Sequence, residues 1–179
     1  MITVINLSRR RFIGICSSLG TGLVLGLRLP AKGENASPGN SLFQPNAFVR
    51  IDRRGKVTLI FAQSEMGQGI HTALPMLIAE ELEVDWAAIA VERDGLNRAY
   101  GEQITGGSSS VITAWEPLRK AGATAREMLI SAAAKKWKVT PNECRAESGS
   151  VIHLPTRRKL GYAALVEAAA LLRRRSTFR

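Results

Sequence analysis

The chain has 179 residues, 45% of them apolar and 22% charged, the proportions of a globular protein with room for about one domain. Its two cysteines, Cys16 and Cys144, exclude a disulfide-rich scaffold. The net charge of +10 sits at the two ends, in Arg9, Arg10, Arg11, Arg28 and Lys32, and in Arg173, Arg174, Arg175 and Arg179. The remaining sixteen basic residues meet all fifteen acids, so the body offers no basic face for tracking phosphates, and nucleic acid is excluded as a partner.

The first segment, residues 1–31, reads as a targeting leader. Ser8-Arg9-Arg10-Arg11-Phe12 is followed by an apolar stretch from Phe12 to Leu27, and no acid occurs before Glu34. The pattern resembles a twin-arginine signal, an address read by a receptor. The apolar run stops at Arg28, short of the roughly 20 residues of a spanning helix. Leu29-Pro30-Ala31 lacks the A-x-A form, so cleavage and retention as a membrane tether both stay open. Such a leader implies a periplasmic or membrane-tethered protein, and it suits export after folding with a cofactor already loaded. Cys16 reads as a small apolar filler within it.

Residues 32–46, rich in Gly, Ser, Asn and Pro, read as a linker. The body is expected over 47–172. Ala47–Asp52 and Lys56–Phe61 alternate around Arg53-Arg54-Gly55, which predicts a β-hairpin. Leu74, Leu77, Ile78 and Leu82 recur at helical spacing over Thr72–Leu82, with Pro75 tolerated if it falls near the first turn. Ala87–Glu92 predicts a short strand, and 93–108 a polar loop. Val111–Trp137 predicts the longest helix, with Trp115, Leu118, Gly122, Ala125, Leu129 and Ala132 on one face and a kink or restart at Pro117. Glu143–Leu154 predicts two strands about Ser148-Gly149, and Tyr162–Leu172 a last helix. Residues 173–179 read as an aberrant basic tail. The fold class is therefore α+β, a hairpin and mixed strands packed on two or three helices. In a piece of a larger domain the Trp115–Ala132 face would stay uncovered, and the isolated chain is then expected to aggregate.

Two glycine-rich loops carry the chemical interest. Gly67-x-Gly69-x-x-Thr72, with Glu92 further on, imitates a dinucleotide-binding turn. Against this, the third glycine is Thr72, four residues separate the strand from Gly67, and the preceding strand sits in a hairpin. A nicotinamide site is accordingly a minor alternative. Gly67 and Gly69 allow sharp bends and close approach of a planar or phosphate-bearing ligand, their N–H groups could hold an anion at a helix start, and Gln68 carries both donor and acceptor. Gly106-Gly107-Ser108-Ser109-Ser110 repeats the theme with hydroxyls. Ordinary capped helix starts would look the same, and spacing leaves both readings open.

Ser64-Glu65-Met66-Gly67-Gln68-Gly69-Ile70-His71-Thr72, with Leu74-Pro75-Met76-Leu77 and Ala79-Glu80-Glu81-Leu82, resembles the molybdopterin-binding subunit of the xanthine dehydrogenase/aldehyde oxidase family. Within it the chain is most similar to the exported branch typified by isoquinoline 1-oxidoreductase beta subunits. Thr105–Ser110, Trp115-Glu116-Pro117-Leu118-Arg119, Ala125–Leu129, Glu143-Cys144, Tyr162 and Leu165 fit the same pattern. The resemblance implies that Met66, Gly67, Gln68, Gly69, Gly107, Ser108, Ser109 and Ser110 contact molybdopterin, in its cytosine dinucleotide form. It implies hydroxylation of an aldehyde or N-heterocyclic substrate, and electron transfer to a separate small iron–sulfur subunit.

Subunits of that family are several-fold longer, and the glutamate that serves them as base has no counterpart among these 179 residues. The resemblance therefore implies an N-terminal fragment of a large subunit, truncated or frameshifted, inactive alone and completed by the remainder of that subunit. Glu65, Glu80, Glu81 and Glu102 read as solvated charges. His71 and His153 make no metal site, since the position four after His71 is Pro75. The competing expectation is an exported α+β module that binds no cofactor.

Overall fold

A computed structural model describes residues 43–95 and 97–176. The leader, most of the 32–46 segment, Leu96 and the last three residues of the basic tail lie outside the described residues. Among the described residues no helix is long and apolar enough to cross a membrane.

Strands β1 (Val49–Ile51) and β2 (Val57–Phe61) form the expected hairpin, with Val49 opposite Leu59 and Ile51 opposite Val57. Its turn is held by the Asp52 carboxylate, which accepts the amides of Arg54 and Lys56 at 2.8 and 2.9 Å. All five residues of β2 are buried, because β2 is the central strand of a mixed sheet. On its far side β3 (Ile89–Arg93) runs parallel to it, reached through helix α1 (Ile70–Leu82). The hairpin thus coexists with a parallel β2–α1–β3 crossover, and the objection that a hairpin strand lacks a parallel neighbour does not hold. Phe43 is fully buried and exchanges two backbone hydrogen bonds with Ile51, both 2.9 Å. The folded body therefore begins inside the segment read as a linker.

Helix α1 starts two residues before Thr72, with Gly69 as its cap. Pro75 consequently lies in the second turn, where it cannot donate to the His71 carbonyl. Buried Ile70, Leu74, Ile78 and Leu82 form the apolar stripe. At its other end the unpaired carbonyls that terminate any helix find partners elsewhere: Tyr162 Oη donates to Leu82 O at 2.7 Å, and the Gly149 amide to Glu83 O at 2.7 Å.

Helix α2 (Ser110–Trp137) runs without interruption through Pro117. Its buried stripe includes Ala114, Leu118, Gly122, Ala125, Leu129 and Ala132, so the predicted face is covered. Trp115 is the exception. It is half-exposed beside the Arg119 guanidinium, 5.4 Å from the ring centroid, and Ile112 near it is 78% exposed. The four-residue spacing from Trp115 to Arg119 keeps that pair on the helix exterior. Where α1 meets α2, Gly122 lies so close to α1 that a Cβ would sit 2.6 Å from the Ile78 carbonyl oxygen. Glu81 of α1 pairs there with Arg119 and Arg126, and Arg126 Nη1 also donates to the Glu81 carbonyl at 2.6 Å.

A second, antiparallel sheet follows, with β4 (Cys144–Glu147), β5 (Ser150–His153) and β6 (Lys159–Gly161) in that order. The first two match the strands expected about Ser148-Gly149. Strand β6, only three residues with no buried side chain, left no apolar alternation to read. The last helix splits into a 3-10 turn, Tyr162–Leu165, and α3 (Val166–Ser176). Helix thus continues past Leu172 into the arginine run.

Candidate functional site

Both glycine loops lie beyond the carboxyl ends of the parallel pair β2 and β3, the edge at which open α/β sheets place ligands. The first leaves β2 at Phe61 and leads into α1. The second precedes α2. They are joined directly: the Ser64 amide donates to Thr105 Oγ1 at 2.8 Å, and Gln63 Nε2 donates to the Glu102 carbonyl at 3.2 Å. Arg93, the last residue of β3 and in register with Phe61, braces the junction. Its Nε donates to Gln63 O at 3.2 Å and its Nη2 to Ser64 Oγ at 3.1 Å.

Each residue expected at the site falls in these two loops. Met66 is 72% exposed. Gly67 and Gly69 have φ of 94° and 83°, in the left-handed region that suits glycine, and a Cβ at either would meet nothing within 4 Å. Gln68 is turned onto its own loop, Oε1 accepting the Met66 amide at 2.6 Å and Nε2 donating to Ser64 O at 2.8 Å. In the second loop Gly107 and Ser108 have φ of 58° and 54°. Ser109 caps α2 and its Oγ donates to Gly106 O at 2.9 Å, while Ser110, the first helical residue, is buried. Exposed backbone is thus real in both loops.

The expectation that the Gly67 and Gly69 amides could hold an external anion meets a physical obstacle. Glu65 already occupies them. Its Oε1 accepts the Gly67 amide at 2.7 Å and the Gly69 amide at 3.2 Å, and its Oε2 accepts the His71 amide at 2.8 Å. These bonds, His71 foremost, hold the carboxyl below the usual carboxylate range. Reading Glu65 as a solvated charge missed this role, although a carboxylate four residues before a glycine cap is the residue type that helix amides attract. Glu81 is likewise engaged, by Arg119 and Arg126, while Glu80 and Glu102 are exposed.

Beside the junction, Tyr100 Oη donates to the Asp94 carboxylate, and the two rings of Phe48 and Tyr100 lie 5.4 Å apart. Desolvation, then the Asp94 hydrogen bond, raises the phenol above its ordinary range, and that same bond lowers Asp94. A cleft of about 270 Å³ opens there, lined among others by Phe48, Gln63, Tyr100, Thr113 and Pro117. His71 stacks edge-on to Phe61 at 5.4 Å, and His153 sits in β5, in the other sheet. Among the described residues no group of three His, Cys, Asp or Glu could hold a metal ion. Gln63 and Arg93 are bracing residues that sequence reasoning passed over, while Thr105, the third, lay in the Thr105–Ser110 run without an assigned role. The signal for Arg93 was its place at the end of a strand that follows a glycine-loop crossover.

The paired glycine loops thus sit at the carboxyl edge of a small mixed sheet in an α+β unit. Residues 10–178 match the family model described as molybdopterin cofactor-binding domain, and the chain belongs to that family. It is 34% identical over 171 residues to the isoquinoline 1-oxidoreductase subunit beta of Brevundimonas diminuta, covering 90% of this chain and 22% of that protein. It is 34% identical over 152 residues to the membrane-bound aldehyde dehydrogenase [pyrroloquinoline-quinone] of Gluconacetobacter polyoxogenes, covering 82% and 19%. The chain therefore spans about a fifth of the length of these relatives. The fold is similar to the crystal structure of quinoline 2-oxidoreductase from Pseudomonas putida 86, with a TM-score of 0.56 and 23% identity over 73% of this chain and 16% of that one.

Proposed function

We propose that this chain supplies one wall of the molybdopterin pocket in the large subunit of an exported molybdenum hydroxylase, through the Met66–Gly69 and Gly107–Ser110 loops. The observation that carries this reading is the Ser64–Thr105 hydrogen bond, which fastens the two loops side by side. The residues fit such a group because Gly67, Gly69 and Gly107 leave open space above their backbone, as close approach of a planar ligand requires. Met66, Gln68, Ser108 and Ser109 would line the same surface, and Ser110 its base. When bound, the molybdenum cofactor supplies the redox chemistry that places an oxygen from water on carbon. This chain binds and orients; it contributes no base.

On this reading the chain is inactive alone and needs the rest of a large subunit, together with a small iron–sulfur subunit as electron acceptor. The cofactor takes its cytosine dinucleotide form. The substrate is an aldehyde or an N-heterocycle, the classes named in the two curated relatives. The serine and twin arginines at positions 8–10 support export to the periplasm.

The test is co-expression of the chain with the remaining length of a large subunit of this family, followed by molybdenum and pterin analysis of the purified assembly. Gln68→Ala and Gly107→Val are each expected to lower cofactor content at least fivefold. Unchanged content in both variants refutes the assignment of these loops.

A further inference from the structure

We propose that Glu65 is the positioning residue of the Met66–Gly69 loop, its carboxylate drawing three backbone amides inward and so fixing the shape in which the loop meets a cofactor. The inference rests on the reading of this loop as part of the cofactor pocket, and it changes how the loop works. The amides of Gly67, Gly69 and His71 all end on one carboxylate, at 2.7, 3.2 and 2.8 Å. The next donor along the loop, the Met66 amide, ends on Gln68 Oε1. Left free, the amides of Met66, Gly67, Gly69 and His71 would be available to an anion at the start of α1. Here they are spent within the loop.

Two consequences follow from the geometry. Gly67 and Gly69 both sit at positive φ, where a chain without further restraint samples many conformations, glycine most of all. Three charge-assisted bonds from one side chain restrict that freedom. The same bonds satisfy donors that the start of α1 leaves unpaired, a role the cap Gly69 cannot fill because it has no side chain. Glu65 thus acts through the loop and not on a reacting group. With these amides engaged on its carboxylate, the loop offers a ligand the exposed Met66 side chain and the open face of the Gly67 and Gly69 backbone.

The charged and titratable groups around the carboxylate are His71 on α1, whose amide and charge both favour the ionised form, and Arg93 on β3, which reaches the neighbouring Ser64. A carboxyl held below its ordinary range releases these amides only when pH falls through that lowered value. The test is hydrogen exchange in the full chain, resolved to single amides and referred to intrinsic rates between pH 6 and pH 3. Protection of Gly67, Gly69 and His71 is expected to fall at least tenfold on acidification, in one step. In Glu65→Gln the step is absent, and protection at pH 6 is already at least tenfold lower, while the Ile78 and Leu82 amides inside α1 keep theirs. His71→Gln retains the step, which assigns it to the carboxylate. Amides that exchange freely in the wild-type chain at pH 6, equal protection in Glu65→Gln, or a step that vanishes in His71→Gln would each overturn the proposal. The wild-type profile alone decides if the variant does not fold. Because the readout is the loop's own backbone, it can fail while cofactor retention by the assembly stands, and the reverse.

Discussion

Replacing Gly122 with alanine pits two effects of opposite sign against each other. In an ordinary helix interior, Gly→Ala stabilises by about 1 kcal/mol, because alanine loses less backbone freedom on folding. Here the new Cβ would lie 2.6 Å from the Ile78 carbonyl oxygen and 2.9 Å from Glu81 Cβ. Ordinary contact begins at 3.4 Å, so α1 and α2 must separate locally by about 0.8 Å. The oxygen is backbone and cannot rotate away. Nor is α1 free to slide, because its far end is tied by Tyr162 and Gly149 and its crossing with α2 by Arg119 and Arg126. Overpacking of this kind costs about 1–3 kcal/mol, and a backbone partner puts it near the top of the range. After the propensity gain, Gly122→Ala should destabilise by about 2 kcal/mol, or about 8 °C in Tm for a domain of this size. Urea unfolding followed by circular dichroism measures it, with Thr124→Ala on the exposed side of the same helix as control, expected to be stabilising by a few tenths of a kcal/mol. A Gly122→Ala chain as stable as the parent, or more so, would refute the close crossing. The result bears on function because α1 and α2 carry the two glycine loops at their starts.

Three further outcomes follow from buried or capped polar groups. Tyr162→Phe leaves the Leu82 carbonyl without its 2.7 Å donor and should cost about 1–2 kcal/mol; an unchanged urea midpoint refutes that tie. Glu143 accepts the amide and hydroxyl of Thr140 at 3.0 and 3.1 Å, and the amide bond above all lowers its carboxyl. Its stabilisation is therefore present above the ordinary carboxylate range and is lost as pH falls through the lowered value. Glu143→Gln should show a smaller drop in urea midpoint between pH 7 and pH 3 than the parent chain, and an equal drop removes the cap from the account. Cys144 is buried in β4, and burial, then the neighbouring Glu143, raises its thiol. In a Cys16→Ser background it should react with iodoacetamide at pH 8 at least tenfold more slowly in the folded chain than in urea; equal rates would contradict its burial.

How far the sequence could be read depended on whether the deciding interaction was local. The β1–β2 hairpin, both long helices and the β4–β5 pair were legible because apolar alternation or helical spacing carries each of them within about a dozen residues. The parallel pairing of β2 with β3 was not, since nothing in Val57–Phe61 says that a strand already paired in a hairpin will take a second partner. The one trace is Leu59-Ile60-Phe61, three apolar residues in a row that break the alternation; all five residues of β2 prove buried, as a strand covered on both faces requires. Trp115 misled for a different reason. Its spacing from Leu118 and Gly122 fits the buried stripe, but Ala114 takes the inward position and leaves the larger ring outside beside Arg119.

The site divides along the same line. The glycine loops were visible as composition, and their residue types are enough to mark where backbone can be approached closely. What composition hid was where the loop amides point. A run such as Glu65-Met66-Gly67-Gln68-Gly69 reads equally as an anion cradle or as a loop closed on its own carboxylate, because both need glycine at positive φ and a helix just beyond. Distance separates the two, and three amides on Glu65 within 3.2 Å favour closure. Closure in turn explains why Ser64 and Gln63 on one side and Thr105 and Glu102 on the other are bound together. With the Met66, Gly67, Gly69 and His71 amides engaged inside the loop, the junction is made by the residues immediately before it. Arg93, at the end of the strand that the sequence did not show to be parallel, is the residue that completes that junction.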